Sequence, residues 1–314
     1  MLASVIIRTY NEERYLEDLV RAVGSQKCEL VDLEIVIVDS GSTDRTLEIA
    51  KKNDCRITHI RKEDFTFGRS LNVGCEFARG DILVFVSGHC IPVGDGWLDE
   101  LCKPIIDETV SYSYGRQQGW GTTKYSEYQH FAKWFPEYNK LPQDGFFCNN
   151  ANAAVSRSAW EKQKFDEELT GLEDMHLARF LTEDGDKIGY VASASVYHIH
   201  DESWQQVRTR YEREAYALQK IMPEVHFSLK DFTRFFVSGV LSDFSAAVSD
   251  RMFFSKCWEI VLFRFNHFWG TYKGNREFRK ISQKRKFHYF YPKDVEREVY
   301  NAEEKSDRAL AYEG

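Results

Sequence analysis

The chain has 314 residues, enough for two domains or one large domain with an appendage. It carries 42 Lys and Arg against 49 Asp and Glu, a net charge of −7, which argues against a general polyanion binder. Hydrophobic residues at 43% suffice for a core, six prolines argue against a linker-dominated chain, and aromatics at 15% suggest stacking surfaces or a membrane-facing region. Seven cysteines without a C-x-x-C pair fit reduced thiols in a cytoplasm and exclude zinc-ribbon spacing. The opening MLASVIIRTYNEE predicts no secretory leader. No run of about 18 apolar residues predicts a membrane span.

In chain order, SVIIRT (4–9) predicts a strand, and Leu16, Leu19, Val20 and Val23 recur at helical spacing. LEIVIVDS (33–40) is apolar almost throughout, as expected of a strand covered on both faces. Turn and capping residues follow, then a helix with Leu47, Ile49 and Ala50 on its buried side. RITHI (56–60) predicts a strand, SLNVGCEFA (70–78) a helix ended by Gly80, and DILVFV (81–86) a fourth strand. This alternation predicts an α/β fold, a parallel sheet with helices on both faces. Ligands of such sheets bind beyond the carboxyl ends of the strands.

Those ends are polar: Thr9, Tyr10, Asn11 and Glu12; then Asp39, Ser40, Ser42 and Asp44; then Ser87, Gly88 and His89. Turns are polar on their own account, but three such loops on one sheet edge point to a site. Neither G-x-G-x-x-G nor G-x-x-x-x-G-K-[ST] occurs, so the dinucleotide and P-loop readings lack support. Asp39 with nearby hydroxyls suits a base or a ribose.

The opening VIIRTYNEE (5–13) and IVIVDSGSTDRT (35–46) together resemble the nucleotide-binding start of family-2 glycosyltransferases. The likeness continues through FGRSLNVGCEFARGDILVFVSGHCIP (67–92), YGRQ (114–117), FCNNANAAVSRSAW (147–160), GLEDMHLARFL (171–181) and VYHIH (196–200). It covers about residues 3–205 and implies a GT-A fold, a Rossmann-like, mostly parallel sheet flanked by helices. The implied catalytic domain is 1–205, with a nucleotide-binding half (1–90) and an acceptor half (91–205). The resemblance implies that Thr9, Tyr10 and Glu12 line the nucleoside pocket, Asp39 with Ser40 meets the base, and Arg69 and Asn72 lie near the sugar diphosphate. Ser87 and Gly88 complete the nucleotide site.

One position departs from the family. Most members end the fourth strand with Asp-x-Asp, which holds Mg²⁺ or Mn²⁺; here the stretch is Ser87-Gly88-His89-Cys90, similar to a bacterial subgroup with Ser-Ala-His. The divalent metal is therefore open. On one reading His89, His198 and His200 supply imidazole ligands, which suit Mn²⁺ better than Mg²⁺. On the other, His89 is a neutral donor to phosphate or a packed strand-end residue.

Glu173 and Asp174 open a helix with Leu177, Ala178 and Leu181 on its buried side. Acids in a first turn are common as plain dipole partners. The resemblance instead makes Asp174 the general base and Glu173 a supporting group, in an inverting single displacement. Asn149, Asn150 and Asn152 suit sugar hydroxyls or turns; Arg116 and Gln117, at the end of a strand predicted over 111–118, are expected on the acceptor and sugar side, with the Arg116 guanidinium suited to diphosphate or acceptor. The aromatic stretch 120–140 is expected as a loop on the acceptor side.

Beyond residue 205 the strand signals stop. A helix is expected over 203–222, and 231–273 reads as mostly helical, crowded with Phe and Trp but interrupted by charges. Residues 273–293 hold eight Lys or Arg against one acid, and 294–314 hold seven acids against three bases. The helical region 206–314 therefore suits either an anionic membrane surface or packing and homo-oligomer contact through 206–293. Nucleic acid is disfavoured by the acidic chain. The leading expectation is a cytoplasmic enzyme, peripheral on the inner membrane face, that moves a sugar from a nucleotide-sugar to a glycan or lipid-linked acceptor in bacterial surface-polysaccharide assembly. A degenerate fold that binds glycan or nucleotide without turnover is the alternative. A nucleotidyltransferase lacks its Gly-rich basic loop, since TYNEERY stands there.

Overall fold

The computed structural model describes residues 1–277, 282–292 and 294. In chain order it runs β1 (Leu2–Thr9), α1 (Leu16–Gly24), β2 (Asp32–Asp39), α2 (Thr46–Lys52), β3 (Arg56–His59), α3 (Phe67–Phe77), β4 (Ile82–Ser87) and β5 (Cys90–Pro92). It continues with α4 (Trp97–Ile106), β6 (Tyr112–Gly119), α5 (Tyr125–Trp134), β7 (Asn152–Ser156), α6 (Arg157–Lys162), α7 (Glu173–Glu183) and β8 (Ile188–His198). Four helices follow: α8 (Trp204–Ile221), α9 (Leu229–Ser249), α10 (Phe253–Asn275) and α11 (Gln283–Phe290).

The strands form one sheet in the order β3-β2-β1-β4-β7-β6-β8-β5. The β3-β2-β1-β4 part is parallel, as the alternating pattern predicts. The chain leaves β1 for β2 and β3, then returns to β4 on the other side of β1. That reversal opens a crevice at the carboxyl ends of β1 and β4. Beyond β4 the sheet is mixed: β7 runs antiparallel to β4 and β6, β5 antiparallel to β8, and only β6 and β8 pair in parallel. One apolar cluster, including Val5, Ile7, Ile37, Val84 and Leu101, covers one sheet face, and another, including Ile6, Val38, Phe85 and Leu177, covers the other.

Several elements differ from expectation for local reasons. Helix α3 starts at Phe67 rather than residue 70, because the Thr66 hydroxyl caps it by accepting from the Arg69 amide. The buried side of α2 is Thr46, Ile49 and Ala50, with Leu47 only half-buried. The stretch 120–140 is not simply a loop, since it holds helix α5 with Tyr125, Glu127 and Phe131 buried. A buried glutamate masks the apolar period there. The 231–273 stretch divides at Arg251, which takes φ 59° between α9 and α10.

Gly115, in the YGRQ stretch, sits where β6 shifts register against β8. A Cβ there would lie 2.0 Å from the Ala194 carbonyl oxygen and 2.3 Å from the Asn152 amide nitrogen. Asn152 spends its amide on that junction, donating to the Arg116 and Ala194 carbonyls at 3.1 and 2.8 Å and accepting from the Trp97 indole at 2.9 Å. Gly115→Ala is expected to cost about 1–3 kcal/mol through overpacking, measured by urea unfolding.

The C-terminal helices pack back on the sheet domain. A Cβ on Gly274 of α10 would sit 2.0 Å from the Glu212 carbonyl of α8, so this glycine allows the two helices their close approach. Helix α9 is different: of its 21 residues only Asp243 and Ala247 are buried. Asp243 takes two hydrogen bonds from Arg264 of α10, at 2.6 and 2.7 Å. Among the described residues no helix is long and apolar enough to cross a membrane.

Candidate functional site

A cleft of about 820 Å³ opens at the carboxyl ends of β1 and β4. Thr9, Tyr10, Glu12, Ser40, Ser87, Gly88 and His89 line it from the strand-end loops; Gln117, Asn149, Asn150, Glu173, Asp174, His198 and His200 line it from the second half. Five other expected site residues do not line it. Asp39 lies just beneath, with Oδ1 accepting from the Thr9 hydroxyl at 3.2 Å and Oδ2 from the Gly41 and Ser42 amides at 2.9 and 3.0 Å. Asn72 is buried elsewhere, donating to the Phe165 carbonyl and accepting from the Trp160 indole. Arg69 lies beside Asp64 and Glu167. Arg116 pairs with Glu137 at 2.7 Å, and Asn152 staples the sheet as described.

Helix α7 delivers its two acids to the cleft through Leu172, which takes φ 58° at the helix start. A non-glycine residue held in that region is locally strained, and such strain clusters at functional sites. Glu173 faces Arg8, 3.4 Å away. Asp174 is 7% exposed and accepts the Asn150 amide on Oδ2 and the Met175 amide on Oδ1, both at 2.8 Å. Burial, reinforced by the neighbouring Glu173 charge, pushes the Asp174 carboxyl up to about 7. Such a group is a stronger proton acceptor than an ordinary aspartate and is available near neutrality.

A row of hydrogen bonds crosses the cleft at the end of β8. The His198 Nδ1 meets Gln117 Oε1 at 2.7 Å, the His200 Nδ1 meets Glu127 Oε1 at 2.7 Å, and the two Nε2 atoms are 2.9 Å apart. Gln117 Oε1 and the Glu127 carboxylate both accept, which assigns the Nδ1 protons and turns both Nε2 lone pairs toward each other. Such a contact closes around a shared proton or a cation. The ring of His89 stacks on that of His198 at 5.2 Å, and donor atoms of all three imidazoles lie within 4.8 Å of one another. Burial, then the neighbouring imidazoles, hold His198 well below its ordinary range, so it stays neutral. A neutral imidazole held from behind by an amide oxygen, beside one held by a carboxylate, is the usual outer arrangement of a metal-bound histidine. The donor set therefore fits a divalent cation of the Mn²⁺ type.

Apart from Gln117, sequence reasoning missed the residues that hold this row. Glu127 comes from α5 and also accepts from Arg210 of α8 at 2.6 Å, while Arg210 forks onto Glu202. Although burial alone would raise it, His200 and Arg210 hold the Glu127 carboxyl well below its usual range. Arg213 of α8, stacked on Phe67 at 4.7 Å, and His267 of α10 also line the cleft. The available signal was Glu127 sharing a helical face with Phe131, four residues on.

The sheet order and the place of the cleft define an α/β protein with its site at the carboxyl edge of the parallel strands. The family model for glycosyl transferase family 2 matches residues 4–163, and the chain belongs to that family. It is 25% identical over 224 residues to the O-antigen chain rhamnosyltransferase RfbN of Salmonella typhimurium, an overlap of 67% of this chain and 70% of that protein. It is 29% identical over 195 residues to the O-antigen chain rhamnosyltransferase WbaN of Salmonella anatum, covering 57% of this chain and 60% of that one. Among solved structures it resembles the mannosyltransferase PcManGT from Pyrobaculum calidifontis in complex with GDP-Man and Mn²⁺, with TM-score 0.56 and 17% identity over 85% of this chain and 87% of that one. It also resembles S. aureus TarS 1–349 in complex with UDP, with TM-score 0.52 and 17% identity over 90% and 94% of the two chains. At these identities the structural likenesses show the GT-A fold alone.

Proposed function

We propose that this glycosyltransferase moves a sugar from a nucleoside-diphosphate donor to a hydroxyl of a glycan or lipid-linked acceptor in surface-polysaccharide assembly. The observation that carries the reading is Asp174, buried at the cleft wall with a raised proton affinity and fixed by two backbone amides. The acceptor oxygen attacks the anomeric carbon, its proton passes to Asp174, and the bond to the diphosphate breaks with its electron pair leaving on the phosphate oxygen. One displacement inverts the anomeric centre. Glu173, paired with Arg8, positions the acceptor side; Tyr10, Thr9, Glu12, Ser40, Ser87 and Gly88 hold the nucleotide above Asp39. Gln117 and Asn150 serve the sugar side, with Arg116 and Asn152 behind them.

His89, His198 and His200 would hold a divalent cation, which supplies charge compensation for the departing diphosphate. Chelator treatment is expected to lower transfer activity and Mn²⁺ to restore it, with His89→Ala weakening Mn²⁺ binding in a spectroscopic titration. Full activity and unchanged Mn²⁺ binding would assign His89 to the phosphate instead. The reading as a whole is tested by product formation from a panel of nucleotide-sugars, with equal rates for wild type and Asp174→Asn favouring a binding protein without turnover.

The exposed face of the α9–α10 hairpin supports peripheral attachment to the inner membrane face. Phe254 is 94% exposed, Trp258 73% and Leu241 61%, while Lys230, Arg234, Lys273 and Arg276 stand exposed at the other end of the hairpin. An apolar tip with cations farther along the same helix pair suits a hairpin lying along an anionic bilayer. The basic and acidic tail invoked from sequence lies, for residues 278–281, 293 and 295–314, outside the described residues. Phe254→Ser with Trp258→Ser is expected to lower partitioning onto phosphatidylglycerol vesicles at least about tenfold, as loss of two buried aromatics implies. Unchanged partitioning would discard the attachment.

A further inference from the structure

The strand-end pocket around Tyr10 is filled by the chain itself. Helix α11 is anchored on α8, where Arg285 pairs with Glu212 at 2.6 Å and the Tyr289 hydroxyl reaches the same carboxylate at 3.1 Å. The chain leaving α11 then crosses the ends of β1 and β2. Tyr291 is 3% exposed and meets the Tyr10 ring edge-on, with centroids 4.7 Å apart. Its ring also contacts Phe65 at 5.4 Å, and Phe290 packs on Phe65 and Phe67 at 5.6 and 5.3 Å. Lys62 stands over the rings of Tyr10 and Tyr291, at 4.5 and 4.8 Å, and pairs with Asp294, which also accepts the Tyr10 hydroxyl at 2.6 Å.

A base stacked between Tyr10 and Tyr291 needs about 3.4 Å on each side, nearly 7 Å in all, the layer spacing of stacked bases. The observed 4.7 Å leaves no room, so the two tyrosines are not a base sandwich. The Tyr291 hydroxyl is buried beside Ser40 and Asp39, close enough to interact with Ser40 but without a well-formed hydrogen bond among the described residues. A buried hydroxyl so poorly paired has recovered little of what it gave up to water, which leaves a seat that a better ligand can take.

We propose that the segment from Phe287 to Pro292, with Asp294, is a displaceable strap whose Tyr291 occupies the nucleoside seat on Tyr10, so that the donor nucleotide must expel it to bind. This rests on the reading that the pocket above Asp39 takes the nucleoside. The aromatic contacts and the Lys62–Asp294 pair hold the strap in; the poorly paired Tyr291 hydroxyl lets it leave. Tyr10 and Lys62 are then handed from strap to ligand, with Lys62 freed to meet an anionic or carbonyl group.

The test titrates the full chain calorimetrically with UDP, GDP, dTDP and CDP, as wild type, Tyr291→Ala and Asp39→Asn. Tyr291→Ala is expected to bind the preferred nucleotide about tenfold tighter, as follows when the strap sits closed about nine times in ten. The same nucleotide should speed hydrogen exchange at the Phe287–Tyr291 amides of wild type. Unchanged or weaker binding by Tyr291→Ala, or slowed exchange, would overturn the strap while leaving the pocket intact. Should none of the four bind, or Asp39→Asn bind as well as wild type, the nucleoside reading falls and the strap falls with it.

Discussion

In a transfer assay with a productive donor and acceptor, Asp174→Asn is expected to turn over about 10²–10⁴-fold more slowly than wild type, the range that one positioned base contributes. The amide keeps the size of the carboxyl and one oxygen for one of the two backbone amides, while its NH2 group faces the other, so the wall of the cleft should persist at a cost of about 1–3 kcal/mol in stability. The capacity to take a proton is removed, along with one of the two backbone hydrogen bonds. The catalytic loss should appear in kcat with the donor KM close to wild type, and the folded variant is compared under conditions well below its unfolding midpoint. Glu173 makes the informative contrast. It faces Arg8 and accepts no backbone amide shown at Asp174, so Glu173→Gln should cost less and act partly through Arg8. A variant at 174 that retained full rate would leave the buried carboxyl as no more than a helix-start acid.

Glu127→Ala is expected to be the most destabilising of the substitutions considered, at about 3–5 kcal/mol in chemical denaturation. The side chain is 2% exposed, and it is shared by His200 and Arg210. Its removal leaves the Arg210 guanidinium, deep between α8 and the sheet domain, with Glu202 as its remaining close carboxylate. Attraction in such a place is repaid only while both members are present. Glu127→Gln keeps the volume and an acceptor for the His200 Nδ1, and should recover part of the loss. The same pair of variants reports on the imidazole row, because a ring no longer held at Nδ1 is free to turn. A loss below about 1 kcal/mol for Glu127→Ala would show that water reaches the row.

Much of this was legible in the residues. The strands β1, β2 and β4 announce themselves as short apolar runs covered on both faces, and their polar ends locate the crevice before any coordinate is known. Asp174 and the histidine pair at 198 and 200 were legible because a resemblance singled them out; they meet in one cleft. Polar residues of the structural kind were not distinguishable. Asn72 and Asn152 look like ligands in sequence, yet each spends its amide on stapling the fold, one between α3 and the Phe165 segment and one across β6 and β8. Arg69 is drawn off by Asp64 and Glu167, and Arg116 by Glu137, pairings that residue type alone does not announce. Helix α5 was hidden for the opposite reason: its buried face carries Glu127, and an apolar period does not record a charge neutralised by α8 from eighty residues downstream. The strap could not be read at all, since a tyrosine after a basic helix says nothing about which pocket it enters.

The pH dependence of kcat/KM tests the central claim most directly, since it reports ionisation in the free enzyme. Asp174 is raised in the folded protein, so it is protonated and idle below its midpoint and competent above it. The account predicts that kcat/KM climbs with pH through an acid limb centred near 7, and that this limb is absent from the residual activity of Asp174→Asn. A profile that is flat from acid to neutral pH, or a limb that survives in Asp174→Asn, would contradict it.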